Sequence, residues 1–306
     1  MEPNALSPDT RLAMQNIAAA LGCPIDAAVA RALEVERILS RHRDLASHPR
    51  QALKALLAME DPLGADDWRW LRARRSGPFV LALPLTLSAM SIVARLFERG
   101  EHFLCIEETS ITAPLLRFLG QLHRGSRAAV VPASLQIRHR RTTSAEELAR
   151  VIYVTFPDHH RSSEGTARVL PFFGAEHYVP LTEALLYFRG ASPVVTLEGG
   201  TLARYEVPPH DPIVEEDATA LLVWLMGRIE AFARAGEHEL LGWAAMSQRT
   251  CDTVRLNRAV HARMLEAFLR SWKSEAGIDD GLYRWSLGEL SRIHAANKNQ
   301  VKGERR

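Results

Sequence analysis

The sequence predicts an α/β fold with a largely parallel central sheet flanked by helices, extended by helical segments at both ends. Three observations carry this. From residue 79 onward, short apolar runs alternate with segments of helical period. The run at 151–156 (VIYVTF) is β-branched, stops at Pro157, and is followed at once by Asp158, His159, His160 and Arg161. Residues 1–75 and the chain beyond residue 215 read as helix alone. Repeated strand–helix–strand order argues for a parallel sheet with helices on its faces. A buried strand closed by proline and ionisable groups is how such a sheet brings chemistry to its C-terminal edge.

Taken in order, Ser7-Pro8-Asp9 offers a helix cap, a proline at the first helical position and an acid in the first turn, and Gly22 ends that helix. A longer helix opens at Pro24-Ile25-Asp26, a third spans 49–59, and the piece WRWLRARR (68–75) follows. Trp68, Trp70, Arg72, Arg74 and Arg75 in that piece suit peripheral contact with lipid headgroups, or a helix with its indoles inside and its arginines in water. The uncharged run at 77–94 approaches a membrane span in length, but Pro84 divides it into a strand and a helix. Strands are expected at 79–83, 102–106 and 128–132, with helices to Gly100 and over 111–125 between them. Ser144 and Glu147 form a capping box ahead of the 151–156 strand. A short strand ends at Gly174, a helix over 181–190 ends at Gly190, and a strand at 193–197 turns at Gly199-Gly200 into an antiparallel partner at 202–207. In the C-terminal helices, Leu256, Val260, Met264, Phe268 and Trp272 form a core stripe, and the tail after Asn297 reads as disordered.

A chain of 306 residues is long enough to bury a full core. A net charge of +2 gives no electrostatic footprint for nucleic acid. Three scattered cysteines show neither zinc spacing nor an even disulfide set, and the N-terminus has no signal-peptide pattern, so a cytoplasmic protein is expected. No metal site and no cofactor are expected.

The block PDHH…VLPFFGAEHYVPLTEALLYFRGASPVV resembles the bacterial late acyltransferases of lipid A biosynthesis, within the lysophospholipid-acyltransferase-like superfamily. Pro157-Asp158, Phe172-Phe173-Gly174, Gly190-Ala191 and Pro193-Val194-Val195 carry the likeness, followed by Ile229-Glu230 and Glu239-Leu240-Leu241-Gly242-Trp243. The resemblance implies a domain over 77–246, preceded by a helical region (1–76) and followed by helices packing on the same domain (247–306). It implies transfer of an acyl or aminoacyl group from a carrier-protein or coenzyme A thioester to a hydroxyl or amine, with Phe172, Phe173 and Gly174 at the substrate. The thioester would be a co-substrate; the basic link Arg138, Arg140 and Arg141 is expected either to meet the acidic acyl or peptidyl carrier protein or to form a solvated loop.

The sequence departs from the family where the chemistry should be. The family's His-x4-Asp/Glu pair falls here on Pro84 and Ala89, neither of which exchanges a proton. The next strand carries Glu107-Glu108 where the family has an arginine, a pair expected to repel an acceptor phosphate. The family's N-terminal membrane helix is missing from this reading as well. The His-x4-acid spacing occurs four times, at His102, His159, His210 and His261, and only His159–Glu164 falls at a sheet edge. One expectation makes His159 or His160 the general base, oriented by Asp158 or Glu164. The other makes both histidines solvated and Asp158 a turn cap. Cys105 reads as a buried, inert thiol. An atypical acyltransferase and a catalytically inactive acyltransferase-like binding or scaffold protein are the two functions that follow.

Overall fold

The structure, a computed structural model, describes residues 7–73, 79–109, 111–122, 127–132, 135–136, 139, 144–159, 167–180, 194–205, 215–236, 239–244 and 291. The helix read over 181–190, the stripe from Leu256 to Trp272 and the tail after Asn297 lie outside them. The chain divides into two compact units. One gathers Met1–Glu36, Pro171–Tyr178 and Gly242–Arg306; the other gathers Arg37–Leu170 and Val179–Leu241.

The second unit holds a six-stranded sheet. In chain order its strands are β1 (Phe79–Ala82), β2 (Phe103–Glu107), β3 (Ala128–Val131), β4 (Val151–Thr155), β7 (Val194–Glu198) and β8 (Thr201–Tyr205). They lie side by side as β3-β2-β4-β1-β7-β8, all parallel except the β7–β8 pair. The predicted α/β architecture is therefore present. β1 and β4 are buried at every position, as strands covered on both faces must be. β8 closes the sheet antiparallel, through a turn whose two glycines, Gly199 and Gly200, both have positive φ (53° and 80°).

Helices α2 (Ile25–Ala46), α3 (Pro49–Leu57) and α4 (Ala65–Ala73) precede the sheet; α2 begins in the first unit and ends in the second. Helix α5 (Leu87–Arg99) starts at Thr86, whose hydroxyl accepts the Ala89 N–H at 3.1 Å, and stops at Gly100 in the left-handed region (φ 65°). A Cβ at Gly100 would only displace the flexible Arg127 guanidinium, 2.7 Å away, so it is the left-handed backbone that calls for glycine there. The run expected as one helix over 111–125 is instead two short ones, α6 (Thr112–Leu116) and α7 (Phe118–Leu122). The break comes where the Gly120 N–H turns back to the Arg117 carbonyl, a tighter pairing than the α ladder allows. The capping box forms: Ser144 Oγ accepts the Glu147 N–H, and the Glu147 carboxylate accepts the Ser144 N–H, both at 3.3 Å. It opens the single-turn α8 (Ala145–Leu148). Helix α9 (Glu215–Ala235) follows β8, with Leu221, Leu222, Leu225 and Ile229 fully buried.

In the first unit, α1 (Pro8–Leu21) is capped by Ser7 and ended by Gly22 (φ 62°), as its sequence predicts. The strand expected to end at Gly174 is half of a hairpin, β5 (Ala167–Phe172) with β6 (Ala175–Pro180), of which Pro171–Tyr178 belong to this unit. Phe173 and Gly174 make its two-residue turn, and both have positive φ (51° and 73°). Phe173 holds that costly conformation while its ring meets Phe172 at 4.5 Å and Trp243 at 5.4 Å. Asn16 of α1 donates to the Trp243 carbonyl at 2.6 Å.

Candidate functional site

In a parallel sheet the place to look is the carboxyl edge, where β2, β4 and β1 lie side by side. β1 ends in Leu83-Pro84-Leu85-Thr86, all fully buried. The Leu83 N–H continues the ladder to the Thr155 carbonyl of β4 at 3.0 Å, and Pro84 then ends it, having no N–H to give. The Leu85 peptide is held on both sides. Its N–H donates to both carboxylate oxygens of Asp158 (3.0 and 3.1 Å), and its carbonyl accepts the Leu241 N–H at 2.7 Å.

Asp158 thus sits where the sequence expects it, just past β4 in a single 3₁₀ turn (Pro157–His159), but it is buried, with 3% of its surface exposed. Glu107, the last residue of β2, is its counterpart. It too is buried, and it accepts the Phe156 N–H at 3.1 Å. Two carboxylates therefore tie three strand ends together, β2 to β4 and β4 to β1, each through a backbone N–H. A hydrogen bond to a buried ionised carboxylate contributes roughly 1.5–3 kcal/mol, more than one between neutral groups. Glu107 faces inward, and Glu108 forms an ion pair with Arg117, the residue that follows α6.

Pro84 and Ala89, at the family's dyad positions, are fully buried. Ala89 lends its backbone N–H to the Thr86 cap. His159 lies in the 3₁₀ turn, while its ring, His160, Glu164, and Arg138, Arg140 and Arg141 lie outside the described residues. Phe172, Phe173 and Gly174 belong to the hairpin of the first unit. From the basic link, His139 is described: its Nδ1 is 2.9 Å from the Tyr153 hydroxyl, and its ring stacks with Phe103.

Sequence reasoning missed Gln136. It is fully buried and its amide nitrogen bridges the Cys105 carbonyl of β2 (2.8 Å) and the Val154 carbonyl of β4 (3.1 Å). No periodicity marks a lone glutamine in a basic stretch. Thr112 was missed as well: its hydroxyl donates to the Glu107 carbonyl at 2.8 Å and accepts the Thr109 N–H at 2.7 Å, fixing the chain just past β2. Cys105 is buried as expected, and burial pushes its thiol up to about 12. His102, beside Phe79, is held below its ordinary range chiefly by burial, against the opposing pull of Glu101 and the Arg150 carbonyl.

The tryptophan–arginine piece folds as α4. Trp68 is buried, donates to Asp61 at 2.9 Å and carries the Arg99 guanidinium 4.0 Å above its ring. Trp70 is half-buried between Phe79 and the Arg204 guanidinium (4.2 Å), and Arg72 is exposed; Arg74 and Arg75 lie outside the described residues. Among the described residues no helix is long and apolar enough to cross a membrane, and no three His, Cys, Asp or Glu side chains gather where a metal ion could be held.

No family model and no curated protein matches this chain.

Proposed function

We propose that this chain is an acyltransferase-like protein that binds an acyl or aminoacyl thioester, carried by a carrier protein or coenzyme A, without transferring the acyl group. The observation that carries this is the clamp on Leu85. Where the resembled family places a proton-exchanging pair, this chain has a buried proline and a buried alanine, and Asp158 spends its carboxylate on the Leu85 N–H. The cluster of ionisable residues after Pro157 otherwise argues for catalysis, because strand ends rarely gather charge without a use. Asp158 has a use in the architecture.

A second reading is an atypical acyltransferase in which His159 or His160 takes the proton of an acceptor hydroxyl or amine, with Asp158 or Glu164 orienting the ring. The 3₁₀ turn favours it, since it sets His159 next in the chain to a buried carboxylate at the sheet edge. Incubating the protein with a panel of acyl-carrier thioesters, with and without amine and alcohol acceptors, separates the two by intact mass. Stable complexes with the acyl chain retained support the binding role. Acyl loss that needs the protein, and disappears in His159→Ala or His160→Ala, supports the transferase. Neither binding nor turnover across the panel overturns both.

A further inference from the structure

A concentration of exposed positive charge lies on α2 and α3. Between residues 37 and 54 there are five cations, Arg37, Arg41, Arg43, Arg50 and Lys54, against one acid, Asp44. All five cations are exposed. Arg37, Ser40, Arg41, Asp44 and Leu45 follow one another at i, i+3, i+4, i+7 and i+8, so they form a single stripe along two turns of α2. With Ala55 of α3 they line an open groove of about 630 Å³. Arg43 lies off that stripe, and its Nε folds back on the Leu39 carbonyl of its own helix (3.2 Å). The field is felt locally: His42 is held below its ordinary range by burial and then by Arg41.

The groove stands on a fixed base. Ala52 and Leu56 of α3 are buried, the Leu56 carbonyl accepts the Ser91 hydroxyl of α5 at 3.0 Å, and Arg95 of α5 donates to the Leu57 and Met59 carbonyls. We propose that this groove is a docking surface for an acidic amphipathic helix of a protein partner. Arg37 and Arg41 would meet the partner's carboxylates, and Leu45 and Ala55 its apolar edge. Asp44 in the lining disfavours a phosphate backbone, which carries negative charge at every step. A lipid surface is disfavoured because the large apolar side chains exposed among the described residues, Leu135 and Val223, lie on neither helix. The charge pattern suits an acidic helix whether or not the sheet edge holds a thioester.

The test uses the full chain and fluorescence anisotropy. The probe is a labelled 16-residue helical peptide with glutamates along one face and leucines along the other. Its lysine-for-glutamate counterpart, a single-stranded oligonucleotide and phosphatidylglycerol vesicles are run alongside. The acidic peptide is expected to bind, more weakly as salt rises, and the basic peptide not to bind. Arg37→Glu with Arg41→Glu should weaken binding tenfold or more while the chain stays folded by circular dichroism. Arg43→Glu makes the same kind of charge change off the groove and should weaken binding less than threefold. Equal loss in Arg43→Glu, no loss in the double variant, or tighter binding of the oligonucleotide or vesicles than of the peptide would overturn the proposal.

Discussion

The carboxyl edge of the sheet and the α2–α3 helix pair are both crowded with charge, and they treat it in opposite ways. At the sheet edge the acids point inward, and each is bound to a neighbouring strand's backbone N–H: Glu107 to Phe156, Asp158 to Leu85. On α2 and α3 Arg37, Arg41, Arg43, Arg50 and Lys54 are exposed. A buried ion must be matched by dipoles and hydrogen bonds to be tolerated, so the first group is bound up with folding. An exposed cation costs almost nothing to keep and stays available to a partner. Clustered charge thus has two meanings, and burial separates them.

The largest contrast should be chemical. Cys105 lies inside β2, two residues before Glu107, and with its thiol pushed up to about 12 from 9.0 it holds roughly a thousandfold less thiolate at pH 8 than an ordinary cysteine. Peptide-level mass spectrometry after iodoacetamide treatment should find it unmodified in the native protein and modified once the chain is unfolded in urea. Labelling at equal rates in both states would break the picture of a closed interior.

Next comes stability. Asp158→Ala and Glu107→Ala each remove a charge-assisted bond to a buried N–H and should cost about 2–3 kcal/mol in urea unfolding. Arg41→Glu and Lys54→Glu should stay within about 0.5 kcal/mol of the parent, as exposed substitutions do. Equal costs in the two regions would erase the distinction between them.

A smaller effect concerns pH. His102 and His42 both titrate below the ordinary 6.5 in the folded protein. The unfolded chain therefore binds protons that the folded one resists, so stability should fall as pH drops from 6.5 toward the folded values, and hold above 6.5. Replacing His102 with Gln should flatten that slope. The Arg41→Glu variant should raise the His42 titration midpoint read by NMR, since it removes one of the two causes that depress it.

Most of the six-stranded sheet was legible because its signals are local. An apolar run, a breaking proline at 84 or 157, and the glycine pair at 199–200 each mark a boundary within a few residues. The β5–β6 hairpin was not legible. Its turn puts a phenylalanine in the left-handed region, which short-range rules assign to glycine or asparagine, and the ring contact with Trp243 comes from a residue seventy positions away. The site was legible in place but not in role. Asp158 was found from the strand that delivers it, yet nothing nearby in the sequence announces that its partner is the Leu85 N–H. The link from Glu107 to Phe156 was hidden for the same reason: in a strand buried on both faces, alternation carries no information about which way a terminal side chain turns. Gln136 left no pattern at all.

The two carboxylate links and the Leu241 contact make the segments after β1, β2 and β4 mutually dependent. Replacing the loop after β1 alone would disturb the Leu85 N–H that Asp158 accepts and the Leu85 carbonyl that Leu241 uses in one operation. A graft that keeps the edge intact would move residues 83–89, 107–109 and 156–159 together and leave Leu241 in place, as a single cassette.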